Sequence, residues 1–197
     1  VGPHQVVLHQ QTNYPWDGMV HFEIELDEPA EFRLYLRIPG WCPNARLTLA
    51  DQDIPFEMRK GYAHVTRTWQ TGDVLVLSME MPVERIYPHP AIRENVGKIA
   101  LRSGPLLYCL ESCDNPLPLH QICVPADAVF EKHFIPDLLG GIMMLNSDVE
   151  ALETSDWADT LYRTTPPVAT PYKLTALPYH AWDQREPGEM RLWLRAD

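Results

Sequence analysis

Residues 97–111 read G-K-I-A-L-R-S-G-P-L-L-Y-C-L-E, and their texture sets the fold class. Lys98 to Arg102 alternates polar and apolar side chains, with Ile99 and Leu101 on one face. Leu106 to Leu110 is a nearly continuous apolar run. A period of two marks a strand with one wet face, and a continuous run marks a strand covered on both. Ser103-Gly104-Pro105 separates the two. The stretch predicts two strands meeting at a rigid Gly-Pro corner, at the junction of two β units.

Toward the N-terminus the alternation is cleaner. Val20, Phe22, Ile24 and Leu26 alternate with His21, Glu23 and Glu25, and Phe32, Leu34, Leu36 and Ile38 alternate with Arg33, Tyr35 and Arg37. Further strands are predicted at 5–9, 47–49, 54–56, 62–66 and 74–81. Asp27-Glu28-Pro29, Pro39-Gly40, Lys60-Gly61 and Gln70-Thr71-Gly72-Asp73 supply the turns. Many short strands with a turn signal every eight to twelve residues predict a sandwich. Residues 82–95 read as a crossing segment.

Toward the C-terminus the texture loosens. A weak strand signal lies within 124–134, and Gly140-Gly141 precedes the apolar Ile142-Met143-Met144-Leu145. Residues 148–159 are acidic with mixed periodicity, which predicts a short helix or a surface segment. Three prolines make 164–171 a loop, and 174–179 is apolar again. Met190, Leu192 and Leu194 alternate with Arg191, Trp193 and Arg195, in the character of 32–38. That likeness predicts that the last strand returns to the first sheet system. The expected architecture is all-β: two antiparallel β-sandwich domains, the first formed by 1–88 with 187–197. The second, 89–186, is inserted before the final strand of the first.

Composition agrees. The 197 residues allow one large or two small domains. The 19 prolines are roughly twice the usual share, which disfavours long helices. A formal charge of −11 repels nucleic acid and anionic membranes. No apolar run approaches the ~18 residues that span a bilayer, and no basic segment followed by a long apolar one begins the chain. The expectation is a cytoplasmic protein. Four cysteines, Cys42, Cys109, Cys113 and Cys123, are too few for a disulfide scaffold and predict free thiols.

No complete catalytic constellation is visible. Cys109, Cys113 and Cys123 lie near His120 and His133, but zinc sites favour tight cysteine pairs, and Cys109 belongs to an apolar strand. A nucleophilic cysteine needs a base and an orienting group, and Cys42 in W-C-P has none nearby in sequence. Two carboxylate clusters contain the residue types of a glycosidic acid–base pair: Asp183, Glu186 and Glu189, and Glu150, Glu153, Asp156 and Asp159. Turns and surfaces gather such residues without chemistry. The glycine-rich phosphate loops and the serine elbow are absent. Of the six tryptophans, most are expected to pack. Trp16 and Trp182 sit in turns, where an exposed face would stack on a sugar. No catalytic, cofactor-binding or metal residue is therefore assigned, and Trp16 and Trp182 are the candidate carbohydrate contacts.

Three segments together resemble the C-terminal part of the β-L-arabinofuranosidase family, glycoside hydrolase family 127 and its relatives. They are T-N-Y-P-W-D-G at 12–18, the opening stretch at 97–111, and L-T-A-L-P-Y-H-A-W at 174–182, continued by P-G-E-M-R-L-W-L at 187–194. The resemblance implies an N-terminal (α/α)6-barrel that carries retaining catalysis on β-L-arabinofuranose through a zinc-bound cysteine, followed by two β-sandwiches. The barrel and its paired-cysteine motif lie outside this sequence, so no catalytic or zinc residue carries over. The expectation is a non-catalytic accessory region that holds no cofactor, with zinc confined to the barrel. Its expected partners are that barrel, a second copy of the chain and carbohydrate. The alternatives are an independent carbohydrate-binding module and an isolated metal-dependent enzyme.

Overall fold

The computed structural model describes residues 1–196, which divide into two compact units at Pro82/Val83. The first unit holds β1 (Val6–Thr12), β2 (Met19–Leu26), β3 (Ala30–Arg37), β4 (Ala45–Leu49), β5 (Gln52–Asp53), β6 (Glu57–Arg59), β7 (Tyr62–Trp69) and β8 (Val74–Met79). One sheet runs β1-β2-β8-β4-β5 and the other β3-β7-β6. Alternate residues of β2 are buried along its whole length, as the sequence pattern requires. Register completes the inner layer: Val20 pairs with Leu77 and Phe22 with Leu75 in one sheet, and Leu36 with Ala63 in the other. These side chains share a single core with Trp69, Ile24 and Leu47, so the two sheets face each other as a sandwich. Trp69 is fully buried, and its indole N–H donates to the Phe32 carbonyl at 3.0 Å, which removes the one polar liability of burying it.

Two tight hairpins shape this unit. Lys60 and Gly61 both take positive φ between β6 and β7, and Ala50 and Asp51 do so between β4 and β5. Two-residue turns with positive φ match the right-handed twist of paired strands. Gly61 meets this demand without strain. Ala50 pays the Cβ penalty, held there by Leu49 pairing with Gln52.

The second unit is built differently. It holds β9 (Val83–Ile86), β10 (Lys98–Ser103), β11 (Leu106–Glu111), β12 (Ile122–Val124), β13 (Glu131–Ile135), β14 (Ile142–Leu152), β15 (Ala169–Pro178), β16 (Met190–Arg191) and β17 (Leu194–Ala196). Its pairings run in a closed circuit, β11-β15-β14-β12-β17-β10 and back to β11. β9, β13 and β16 attach outside the circuit. Closure satisfies strand edges that an open sheet would expose. Ile99, Leu101, Tyr108, Leu110, Leu145 and Leu174 share the core that the circuit encloses.

The opening stretch folds as predicted at its centre: Ser103 pairs with Leu106 across a two-residue turn with Gly104 at φ +56°. Both strands belong to the second unit, however, and the boundary between units lies upstream at 82/83. The expected crossing segment supplies β9, the first strand of that unit. The last strand is a correction. β17 pairs antiparallel with β10 (Ile99 with Leu194) and parallel with β12, not with any strand of the first unit. Alternation at 190–195 tells that one face is covered, but the covering sheet is a tertiary choice. The acidic stretch 148–159 splits between β14 and a single 3₁₀ turn, Ser155–Trp157. The other helical turns are equally short, and no helix among the described residues is long and apolar enough to cross a membrane.

Candidate functional site

The densest ionic cluster lies where β11 ends. The chain turns sharply after Glu111, and the amides of Asp114 and Asn115 donate back to the Glu111 carbonyl at 3.2 and 3.1 Å. Asn115 is fully buried, with its amide donating to the carbonyls of Glu111 and Thr175 and accepting from the Thr175 N–H at 3.1 Å. This turn sets Glu111, Cys113 and Asp114 side by side. Arg185 reaches in from the far loop and grips Asp114 through both guanidinium nitrogens, at 2.8 and 2.5 Å, and Glu111 at 2.5 Å. The Glu111 side chain is only 6% exposed and that of Arg185 17%. The bonds to Asp114, and then to Glu111, hold the guanidinium protonated well above its ordinary range. The other Glu111 oxygen accepts from the Asp183 N–H at 3.0 Å, so both ends of the carboxylate fasten the 183–185 loop.

This cluster corrects the expectation that the chain offers no metal ligands and that metal is confined to the barrel. The ligand atoms of Glu111, Cys113 and Asp114 all lie within 4.8 Å of one another, a donor set of two carboxylates and a thiol. Among the described residues it is the only such group. The sequence search followed cysteine pairs and histidines, whereas the turn assembled one cysteine with two acids. A cation taking these ligands must displace Arg185, which already neutralises the two carboxylates.

The other candidates take structural places. Burial, with Glu111 beside it, pushes the Cys109 thiol up to about 12 and removes it as a nucleophile. Cys113 is exposed, and its thiol too is raised, by partial burial and then by Asp114. Cys123 is buried, and the Cys42 thiol donates to the Asn44 carbonyl at 3.0 Å. His120 and His133 are both exposed and join no cysteine cluster. Glu189 accepts from the Leu119 N–H and from Arg191. Glu153 caps the 3₁₀ turn by accepting from the amides of Thr154 and Ser155, and Asp156 pairs with Arg163. Within the two carboxylate clusters, Glu153, Asp156 and Glu189 thus serve caps and ion pairs.

Trp16 is half-buried. Trp182 is 40% exposed and stacks on Tyr179, 41% exposed, at 6.1 Å with the rings 5° from parallel. The sequence singled out Trp182 but missed its partner three residues earlier.

The first unit carries an apolar groove of about 470 Å³. It opens where β1 and β3, each the last strand of its sheet, leave the sandwich uncapped. Val20, Phe22 and Leu36 form its floor, and the exposed Leu8, Tyr14 and Tyr35 its rim.

Comparisons with known proteins cover both units. Residues 2–81 match the β-L-arabinofuranosidase GH127 middle domain, and residues 83–195 match the glycoside hydrolase family 127 C-terminal domain. The chain is 33% identical over 205 aligned residues to a non-reducing end β-L-arabinofuranosidase of Bifidobacterium longum subsp. longum, covering 96% of this chain and 30% of that protein. The crystal structure of a GH127 β-L-arabinofuranosidase from Geobacillus stearothermophilus T6 superposes with a TM-score of 0.94 at 42% identity, over 100% of this chain and 31% of that one. A second solved glycoside hydrolase gives a TM-score of 0.86 at 34% identity, over 97% of this chain and 32% of that one. The chain spans about a third of the length of these relatives. It belongs to glycoside hydrolase family 127 and corresponds to the family's non-catalytic middle and C-terminal domains.

Proposed function

We propose that this chain is the accessory region of a retaining glycoside hydrolase acting on β-L-arabinofuranosides, and that it braces the helical catalytic domain preceding the middle domain. The observation that carries this reading is the match to middle and C-terminal domains end to end. The apolar groove between β1 and β3 supplies the contact. An exposed apolar rim of this kind marks an interaction surface, and about two thirds of the relatives' length lies outside the match and is free to cover it.

Two measurements test the reading. The isolated chain, freed of contaminating enzymes, hydrolyses no 4-nitrophenyl β-L-arabinofuranoside; substantial turnover defeats the proposal. In the full-length protein, Leu8→Asp with Tyr35→Asp lowers the melting temperature, while the same pair in the isolated chain changes it little. Equal effects in both refute docking at the groove. A concentration-dependent dimer of the isolated chain, abolished by the pair, assigns the groove to a second copy instead.

A second reading is a carbohydrate-binding module, favoured by the stacked and exposed Tyr179–Trp182 pair. Flat aromatic faces present apolar area to the C–H faces of sugars. Calorimetric titration with arabinofuranosyl oligosaccharides tests it: binding is lost in Trp182→Ala, or in Trp16→Ala, with the fold retained. Heat signals that survive both changes exclude those tryptophans.

A further inference from the structure

A cavity of about 540 Å³ opens on the second unit beside β13 and β14, away from every residue discussed as a candidate above except His133. Its volume falls in the range of roughly 300–1,000 Å³ usual for small-ligand sites. Strand register arranges the lining. Glu131 stands opposite Asn146, and Asp148 stands opposite Lys173. Asn146 and Asp148, two residues apart, point to the same side of the strand. Asp127 and Val129 add a wall to the lining.

That wall is pinned from behind. Arg85, on β9, donates to the carbonyls of Pro125 and Ala128 at 2.6 and 3.1 Å. The buried Ser147 hydroxyl donates to the Val129 carbonyl at 2.8 Å. A loop held by three side-chain bonds is pre-organised, so a ligand there meets little ordering cost. Asn146 lines the cavity, and its side-chain oxygen is buried with no hydrogen-bond partner. Buried acceptors are nearly always paired, and each exception calls for a donor.

The lining selects among ligand classes. Asp127, Glu131 and Asp148 outnumber Lys173 and repel an anion. They do not converge on a point, since among the described residues only Glu111, Cys113 and Asp114 bring three ionisable ligand atoms within 4.8 Å of one another. A bare metal ion is therefore not cradled. A neutral polyol suits all of them. Its hydroxyls donate to carboxylates and accept from the Lys173 ammonium, and one carboxylate takes both hydroxyls of a vicinal diol. We infer that this cavity binds a neutral sugar residue, at a site separate from the Tyr179–Trp182 pair. The inference rests on the reading of the chain as part of a glycan-processing enzyme and deepens it by naming where a glycan is held.

The test is a titration of the ¹⁵N-labelled 197-residue chain with methyl β-L-arabinofuranoside and with an arabinofuranose disaccharide. The expected result is saturable amide shifts confined to 127–133, 146–148 and 173. Asn146→Leu and Lys173→Met each weaken binding at least tenfold. Lys173 is exposed, so its variant keeps the fold, which the dispersion of the spectrum verifies. Absence of saturable shifts with both sugars overturns the inference, as do shifts produced by spermidine but not by either sugar. Sugar binding lost in Trp182→Ala and kept in Asn146→Leu also overturns it, while leaving the glycan-binding reading of the chain intact. Hydrolysis of the glycoside during the titration instead defeats the accessory role.

Discussion

Trp69 in the first unit and Glu111 in the second each tie distant segments together, with opposite chemistry. Trp69 is an apolar anchor: its ring lies 6.0 Å from Phe32, and its single polar atom is bonded to a neighbouring strand. Glu111 is an ionic anchor. It is nearly as buried, and it holds a loop more than seventy residues away through the Asp183 amide and Arg185. The contrast shows two ways to fix a β fold. Where alternation is regular, apolar side chains interlock two sheets without help. Where strands are joined by long loops, a compensated charge cluster holds the loop that closes the structure. The two cores also draw on separate residues, those of the first unit before Pro82 and those of the second after it.

The largest test of that contrast is Trp69→Ala. Truncating a buried tryptophan costs about 4 kcal/mol, and the freed Phe32 carbonyl adds to the loss. Native-state hydrogen exchange should show protection falling in β2, β3, β7 and β8 and persisting in β10, β11, β14 and β15. A uniform loss across both units breaks the picture of two independent cores.

Arg185→Met comes next. Removing one partner of a buried ion cluster costs roughly 3–5 kcal/mol, and the partial exposure of Arg185 reduces this to about 2–3 kcal/mol. Urea denaturation reads the change. Replacing Glu111, Asp114 and Arg185 together by apolar residues of similar size should recover most of it, because the penalty lies in the charges left unpaired. If the triple variant is worse than the single one, the cluster contributes net stability rather than closure alone.

An alkaline titration sharpens the contrast further. Burial pushes the Cys109 thiol up to about 12, against an unfolded value near ~8.5. Above the unfolded value the unfolded chain releases a proton that the folded chain keeps, so unfolding gains from rising pH. This contribution is complete below about pH 8.5 and is lost as the pH climbs toward 12. At pH 10 the loss amounts to about 2 kcal/mol. Cys109→Ala should therefore flatten the alkaline decline of stability. Tyr108, whose hydroxyl is also raised by burial, leaves a residual slope at the highest pH. An unchanged slope means the thiol reaches solvent.

The smallest effect belongs to the Arg46–Asp53 pair on the first unit. Both side chains are mostly exposed, and although Arg46 holds the Asp53 carboxyl below its ordinary range, water screens the pair. Asp53→Asn should leave the denaturation midpoint unchanged within its reproducibility. A measurable shift would give the first unit an ionic contribution that the comparison denies it.

The sequence by itself determined the local layer of this protein. Alternation at Val20–Phe22–Ile24–Leu26 named the buried face of β2, Lys60-Gly61 named the turn between β6 and β7, and Gly104-Pro105 named the corner between β10 and β11. Ordered segments at 12–18, 97–111, 174–182 and 187–194 named the family. Each of these signals depends on neighbours within a few residues, where backbone sterics and a period of two leave little freedom. Only the tertiary structure decided the rest. It sent β17 to β10 and β12, because an amphipathic strand does not specify which sheet will cover it. It joined Glu111 and Asp114 to Arg185 and set Cys113 beside them, although nothing local in E-S-C-D or in D-Q-R announces a partner seventy residues away. Long-range charge pairing has no periodicity to read, since it arises only after the closed circuit of strands has brought the two loops together.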